Sequence, residues 1–169
     1  MADEAVRDEV DRIVAAWGRE RPDLDTAPLE VLSRVTRLAR HLDLARRGAF
    51  ARHGLETWAF DVLSALRRAG EPYQLSPGVL LTQTLVTSGT MTNRIDRLVE
   101  HGLVRRRPSP GDRRGVFVEL TPAGLQQVDA AMEDLLASER RLLHGLSGQE
   151  RSTLASLLRV LVVPFDEAS

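Results

Sequence analysis

The chain has 169 residues with no cysteine and no lysine, so its 23 cationic side chains are all arginine, set against 24 Asp plus Glu for a formal charge of −1. These counts exclude disulfides, thiol nucleophiles and Cys-ligated zinc, and equally a lysine Schiff base or a P-loop phosphate lysine. At 43% apolar and 28% charged, the chain reads as an ordinary globular protein of one domain or two small ones. No apolar run approaches the roughly 18 residues of a membrane span, and the acid-rich start lacks the basic-then-apolar pattern of a signal peptide. A cytoplasmic protein is expected. The near-zero total hides a partition, with −5 over residues 1–30, +5 over 31–68, +4 over 94–114 and −3 over 129–169. A basic middle between acidic ends suits a polyanion at one face, although clustered solvated charges would give the same count.

Taken in chain order, Val6, Val10, Ile13, Val14 and Trp17 place one apolar stripe on a helix over residues 4–19, ended by Gly18. A long helix is predicted from about Leu29 to Phe50, with Leu32, Val35, Leu38, Ala39 and Leu42 on one side and arginines around the other. Gly54 breaks it. Thr57 is placed to cap a helix from Trp58 to Arg68 that Gly70 and Pro72 stop, with Asp61 in its first turn. Two short segments, Pro77 to Leu81 and Ser88 to His101, stand in helix-turn-helix proportion before Gly102. The period then changes: Leu103 to Arg107 and Val116 to Leu120 are β-prone, and the turn-rich, basic stretch from Pro108 to Gly115 joins them into a hairpin. Thr121-Pro122 opens a helix through about His144. Ser147 and Glu150 have capping-box spacing for a last helix, with Leu154, Leu157, Leu158, Leu161 and Val162 as its stripe and Pro164 as its end.

The first and the last two helices carry apolar side chains that a small helix-turn-helix core does not need. Packing against a second copy would bury them; capping their own core is the other solution. The expected organisation is residues 1–53 and 121–169 as dimerisation helices around a DNA-binding lobe at 54–120. The fold class is mainly α with a small β-hairpin wing.

On a wheel of about 100° per residue, Met91, Ile95, Leu98, Val99 and Ser88 cluster on one side of the helix after the turn, while Gly89, Asn93 and Arg97 lie opposite. Asn93 suits adenine and Arg97 guanine, and the N-terminal Thr87, Ser88 and Thr90 suit phosphate oxygens. Arg113 and Arg114 at the hairpin tip have the character of a wing arginine entering a narrow minor groove. Asp112 either orients Arg114 or simply forms the turn. Arg94 falls beside the apolar side, badly placed for bases and well placed for a carboxylate of the protein body, with Asp61 a candidate partner.

The run Leu80 to Gly124, above all Met91-Thr92-Asn93-Arg94-Ile95-Asp96-Arg97-Leu98, Gly102-Leu103-Val104-Arg105-Arg106-Arg107, Asp112-Arg113-Arg114-Gly115 and Leu120-Thr121-Pro122-Ala123-Gly124, resembles the MarR family of bacterial transcriptional regulators. The order of elements is similar along nearly the whole chain. The resemblance implies a homodimer on a pseudo-palindromic double-stranded DNA operator, usually a repressor, released by a small anionic or phenolic ligand. Trp17, Asp61, Arg94 and Arg106 are similar to the pattern of the urate-responsive subgroup, where such residues are associated with ligand binding. Each has a plainer reading too: dimer packing for Trp17, a helix-dipole contact for Asp61, a phosphate contact for Arg106.

Other classes find little support. His41, His53, His101 and His144 lie far apart without metal-ligand spacing and read as surface or helix-end residues, and no GxSxG, GxGxxG or P-loop occurs. Neither an enzyme nor a metal or cofactor is expected. An architectural DNA-binding protein would use the basic patch but has no need of Asn93 and Arg97 on an exposed helix face. A family member without ligand response is the remaining alternative.

Overall fold

In the computed structural model, residues 7–84, 86–109 and 112–166 are described, with the backbone alone at 109 and 112–114. Among the described residues, seven helices and three short strands follow one another as α1 (Glu9–Glu20), α2 (Ala27–Ala51), α3 (Thr57–Arg68), β1 (Gln74–Leu75), α4 (Pro77–Thr84), α5 (Ser88–Glu100), β2 (Val104–Ser109), β3 (Asp112–Leu120), α6 (Pro122–Leu142) and α7 (Gly148–Asp166). They form two compact units, Met1–Ala45 and Arg46–Ser169. The division falls inside α2, upstream of the 53/54 boundary expected from sequence, and it groups α6 and α7 with the helix-turn-helix region.

In the first unit, α1 begins at Glu9, behind a capping box in which Asp8 accepts from the Val10 and Asp11 amides and the Asp11 carboxylate accepts from the Asp8 amide. This start is later than residue 4, and the helix passes Gly18. Arg34 of α2 reaches Asp8 at 2.8 Å and Asp11 at 2.8 Å, tying the start of α1 to the first third of α2.

The second unit is built around α3. Seven of its residues, Ala59, Phe60, Val62, Leu63, Ser64, Ala65 and Leu66, are buried. Around them pack Ala49 and Phe50 from the end of α2, Leu80 of α4, Met91, Ile95 and Leu98 of α5, Val104 and Val118 of the strands, and Val128, Ala131 and Leu135 of α6. Phe50 and Phe60 stack with centroids 4.0 Å apart. Thr57 is not the cap of α3: Glu56 holds that position with extended backbone, and its side chain makes no capping bond. Gly54 and Gly102 both adopt positive φ, +66° and +70°, the left-handed region where glycine stops a helix without a Cβ penalty.

The sheet has the order β1-β3-β2, all antiparallel. The expected hairpin is present; β1 is an addition, pairing Gln74 with Glu119 and Leu75 with Val118. The sheet joins α6 through Thr121, whose hydroxyl accepts from the Gly124 amide at 3.0 Å and donates toward the Gly102 carbonyl at 2.7 Å. Here Gly124 is required by contact, because a Cβ on it would stand 2.0 Å from the Leu103 carbonyl oxygen. Helix α7 starts as expected, with reciprocal Ser147 and Glu150 capping bonds, but runs through Pro164 to Asp166 and buries none of its side chains. Pro164 has no N–H to offer the Val160 carbonyl, so the last turn of α7 lacks that intrahelical bond. Among the described residues no helix is long and apolar enough to cross a membrane.

Candidate nucleic-acid interface

Helix α5 divides along its length. Met91, Ile95 and Leu98 are buried under α3, while Thr87, Ser88, Gly89, Thr90, Thr92, Asn93 and Arg97 are exposed. Its N-cap residue Thr87 makes no side-chain capping bond, and its hydroxyl lies 2.9 Å from that of Thr90. The first-turn amides therefore have no side-chain acceptor from the cap, and a helix N-terminus in that state attracts an anion. Thr87, Ser88, Thr90 and Asn93 are all exposed over the start of the helix, Ser88 included although the wheel sets it on the apolar side.

Arg97 departs from that simple picture. Its Nη2 donates to Glu56 Oε1 at 2.6 Å and its guanidinium lies 4.7 Å from the centroid of the Trp58 ring. Arg94 sits over the same ring at 5.6 Å. The indole Nε1 of Trp58 donates to Glu56 Oε2 at 2.8 Å. Those bonds, first from Trp58 and then from Arg97, hold the Glu56 carboxyl below the usual carboxylate range.

The wing strand sorts its three consecutive arginines by the two-residue period of a β-strand. Arg105 and Arg107 both reach Glu119 of β3, at 2.5 and 2.8 Å, and this nearly buried carboxylate is held down to about 2, first by Arg105 and then by Arg107. Arg106 points the other way and meets Asp96 of α5 at 2.5 Å. Wing and recognition helix are thereby joined by an ion pair. The side chains of Asp112, Arg113 and Arg114 lie outside the described residues.

Of the residues expected at a ligand, the three in the second unit, Asp61, Arg94 and Arg106, have different neighbours. Asp61 lines a cavity of about 470 Å³ together with Arg46, Ser64, Arg68, Gln83 and Glu139 and the apolar Phe60, Met132, Leu135 and Leu136. Burial raises the Asp61 pKa above its ordinary value, opposed by the charges of Arg46, Arg94 and Arg68 in that order. Asp61 and Arg94 form no ion pair within 4 Å; Arg94 is drawn to Trp58 instead, and Arg106 to Asp96. Trp17 belongs to the first unit, 47% exposed, beside Ile13, Ala16 and Glu20. Sequence reasoning missed Glu56, Trp58, Asp96, Glu119, Arg46 and Arg68. The hairpin register, which sets Arg105 opposite Glu119, would have exposed one of these contacts; the others depend on how helices pack. His53, expected at the surface, lies 3.0 Å from Asp134 and is only partly exposed. Among the described residues no group of three or more His, Asp or Glu is arranged to hold a metal ion.

This arrangement, a polar helix face beside a wing strand, is that of a winged helix-turn-helix protein. Residues 53–115 match the MarR family model. The chain is 37% identical over 150 residues to the HTH-type transcriptional regulator PecS of Dickeya dadantii, covering 89% of this chain and 90% of PecS. It is 31% identical over 143 residues to the HTH-type transcriptional repressor NicR of Pseudomonas putida, covering 82% and 89%. Among solved structures, a mutant MarR from E. coli complexed with operator DNA superimposes with a TM-score of 0.66 at 26% identity, covering 86% of this chain and 97% of that one. The chain belongs to the MarR family of transcriptional regulators, and it is a DNA-binding regulator, not an enzyme.

Proposed function

We propose that the chain is a homodimeric, sequence-specific repressor whose hold on its operator is lowered by a small anionic ligand. The observation that carries the DNA part is the division of α5, with three buried anchors beneath an exposed face of Thr87, Ser88, Thr90, Asn93 and Arg97. Asn93 and Arg97 are read as the base contacts, Thr87, Ser88 and Thr90 as phosphate contacts, and Arg113 and Arg114 as wing contacts. The dimer reading is supported by α7, whose apolar side chains all remain outside the core, and by the exposed Leu136 and Leu142 of α6 and Leu143 just after it. Residues 1–53 and 121–169 would then supply the interface, and two recognition helices would meet successive major grooves about 34 Å apart.

The ligand reading is supported by the cavity around Asp61, where Arg46 and Arg68 supply positive charge and Phe60, Met132 and Leu135 supply apolar wall. A purine such as urate is the leading candidate, with polycarboxylates next. An anion there would favour whichever conformation separates Asp61 from its arginines, and only such differential affinity moves a DNA-binding equilibrium. Trp17, Arg94 and Arg106 remain ligand-site residues through the resemblance, and their variants test it. Selection of bound fragments from a genomic library yields the operator. Titration of that fragment's complex with urate, xanthine, citrate and aconitate is expected to release DNA with one of them, and Asp61→Asn and Arg94→Ala to blunt the release. Equal affinity for operator and random duplex would refute sequence-specific recognition; no release by any of the four anions would leave a constitutive regulator.

A further inference from the structure

Glu56 stands at the N-cap of α3 but does not cap it. Its carboxylate faces α5 instead, taking the Trp58 indole N–H on one oxygen and Arg97 Nη2 on the other, at 2.8 and 2.6 Å. The Arg97 guanidinium also lies 4.7 Å from the centroid of the Trp58 ring. The three side chains close a ring of contacts in which each fixes the other two. Glu56 uses one Arg97 nitrogen, leaving Nε, Nη1 and the second Nη2 proton as donors on a side chain still about half exposed.

We propose that Glu56 and Trp58 are positioning residues for Arg97, presenting its guanidinium in fixed orientation from the recognition helix and so setting how well the protein distinguishes its operator from other DNA. The proposal rests on the reading of Arg97 as a base contact. A long, flexible arginine loses much of its rotamer freedom when it binds, and a planar fork that is already oriented loses less. The carboxylate has a second effect. By pairing with Arg97 it removes a cation otherwise available to any phosphate. Affinity is thereby shifted from sequence-independent to sequence-dependent contact. An acid in this place weakens non-specific binding, which a role confined to folding would not do.

The test compares affinity for the selected operator fragment with affinity for a random duplex of equal length and salt. Glu56→Gln keeps the shape and removes the charge. It is expected to lower operator affinity while leaving random-duplex affinity unchanged or higher, so the ratio falls about tenfold, the scale of one weakened base contact. Trp58→Phe, which keeps a ring and removes the N–H, should lower the ratio less. In the Arg97→Ala background Glu56→Gln should have no further effect on the ratio. Trp58 emission, read in a Trp17→Phe background, should change with Arg97→Ala and Glu56→Gln in the DNA-free protein. If Arg97→Ala lowers the ratio but Glu56→Gln does not, positioning is refuted while base reading by Arg97 stands. If Arg97→Ala leaves the ratio unchanged, the base-reading assignment fails and the proposal fails with it. Additive losses in the double variant would also overturn the coupling.

Discussion

Helices α3 and α7 are both rich in leucine, valine and phenylalanine, and they end in opposite conditions. In α3 seven of twelve residues are buried, and the other core elements of its unit are laid around it. In α7 none of nineteen is buried, and Val160 and Phe165 are 72% and 73% exposed. Fully burying one large apolar side chain is worth about 1.5–3 kcal/mol, so α7 leaves unused several times the gain that α3 realises at each site. In proteins most of a helix's stability comes from packing its apolar face rather than from propensity. The contrast teaches that apolar content says a face will be covered, whereas the chain's own topology decides whether it can cover that face itself. Helix α6 lies between the two cases: Val128, Ala131 and Leu135 are in the core, while Leu136 and Leu142 are not.

The strongest way to break this comparison is to make α7 polar. Leu157→Glu with Leu161→Glu places two charges on consecutive turns of one face and should convert the proposed dimer to a species near the 18.7 kDa chain mass, with operator binding lost. Sedimentation at micromolar concentration reads the result, and a double variant that sediments like the unmodified protein would show that α7's face serves something else. Next in size is the well-filled side. Gly124→Ala forces a methyl against the Leu103 carbonyl and should cost about 1–3 kcal/mol or more, as overpacking does, measured by urea unfolding. Thr121→Ala removes a cap and should cost about 1 kcal/mol in the same assay.

Two pH effects sharpen the comparison further. Glu119 has its pKa lowered from 4.5 to about 2 by Arg105 and Arg107, so its contribution to stability is present above about 4.5 and lost as pH falls toward 2. The stability gap between the unmodified chain and Glu119→Gln should narrow over that window. Asp61, the half-buried acid on α3, has the opposite sign. Its raised folded-state pKa, caused first by burial, favours the folded state below its ordinary value of 3.8 and costs stability as pH rises through the folded value. Asp61→Asn should therefore be more stable than the unmodified chain at pH 7, with the advantage gone in acid. Thermal melts at pH 7 and pH 3 distinguish this from a purely structural role.

Most of the helical frame was legible because it rests on local chemistry. Gly54 and Gly102, the Thr121-Pro122 start and the Ser147 with Glu150 box each act within one turn of chain. Strand β1 was not legible, since two residues carry no period and its pairing with β3 is made by backbone alone. At the candidate site, the exposed face of Asn93 and Arg97 on α5 followed from the wheel, yet the partners of Arg97, Arg94 and Arg106 did not. Glu56 and Trp58 are some forty positions from Arg97 in sequence, and nothing local in either segment signals the other. Arg94 acts on Asp61 through its charge, as its place on the wheel suggested, but its guanidinium stands over Trp58 and makes no ion pair with Asp61, because a wheel reports direction and not which side chain waits there.

The missing Cβ of Gly124 has a mechanical consequence. It lets backbone meet backbone where α6 leaves the sheet, so that end of the helix has no compressible side chain between it and Leu103. A helix of 21 residues extends about 30 Å. With its first turn pinned, α6 is a lever whose fulcrum sits under the wing: a tilt of about ten degrees there corresponds to some 5 Å at the far end, by the same length. Read in the other direction, a displacement of several ångströms at the distal end reaches the wing as a small rotation, with little shift in position.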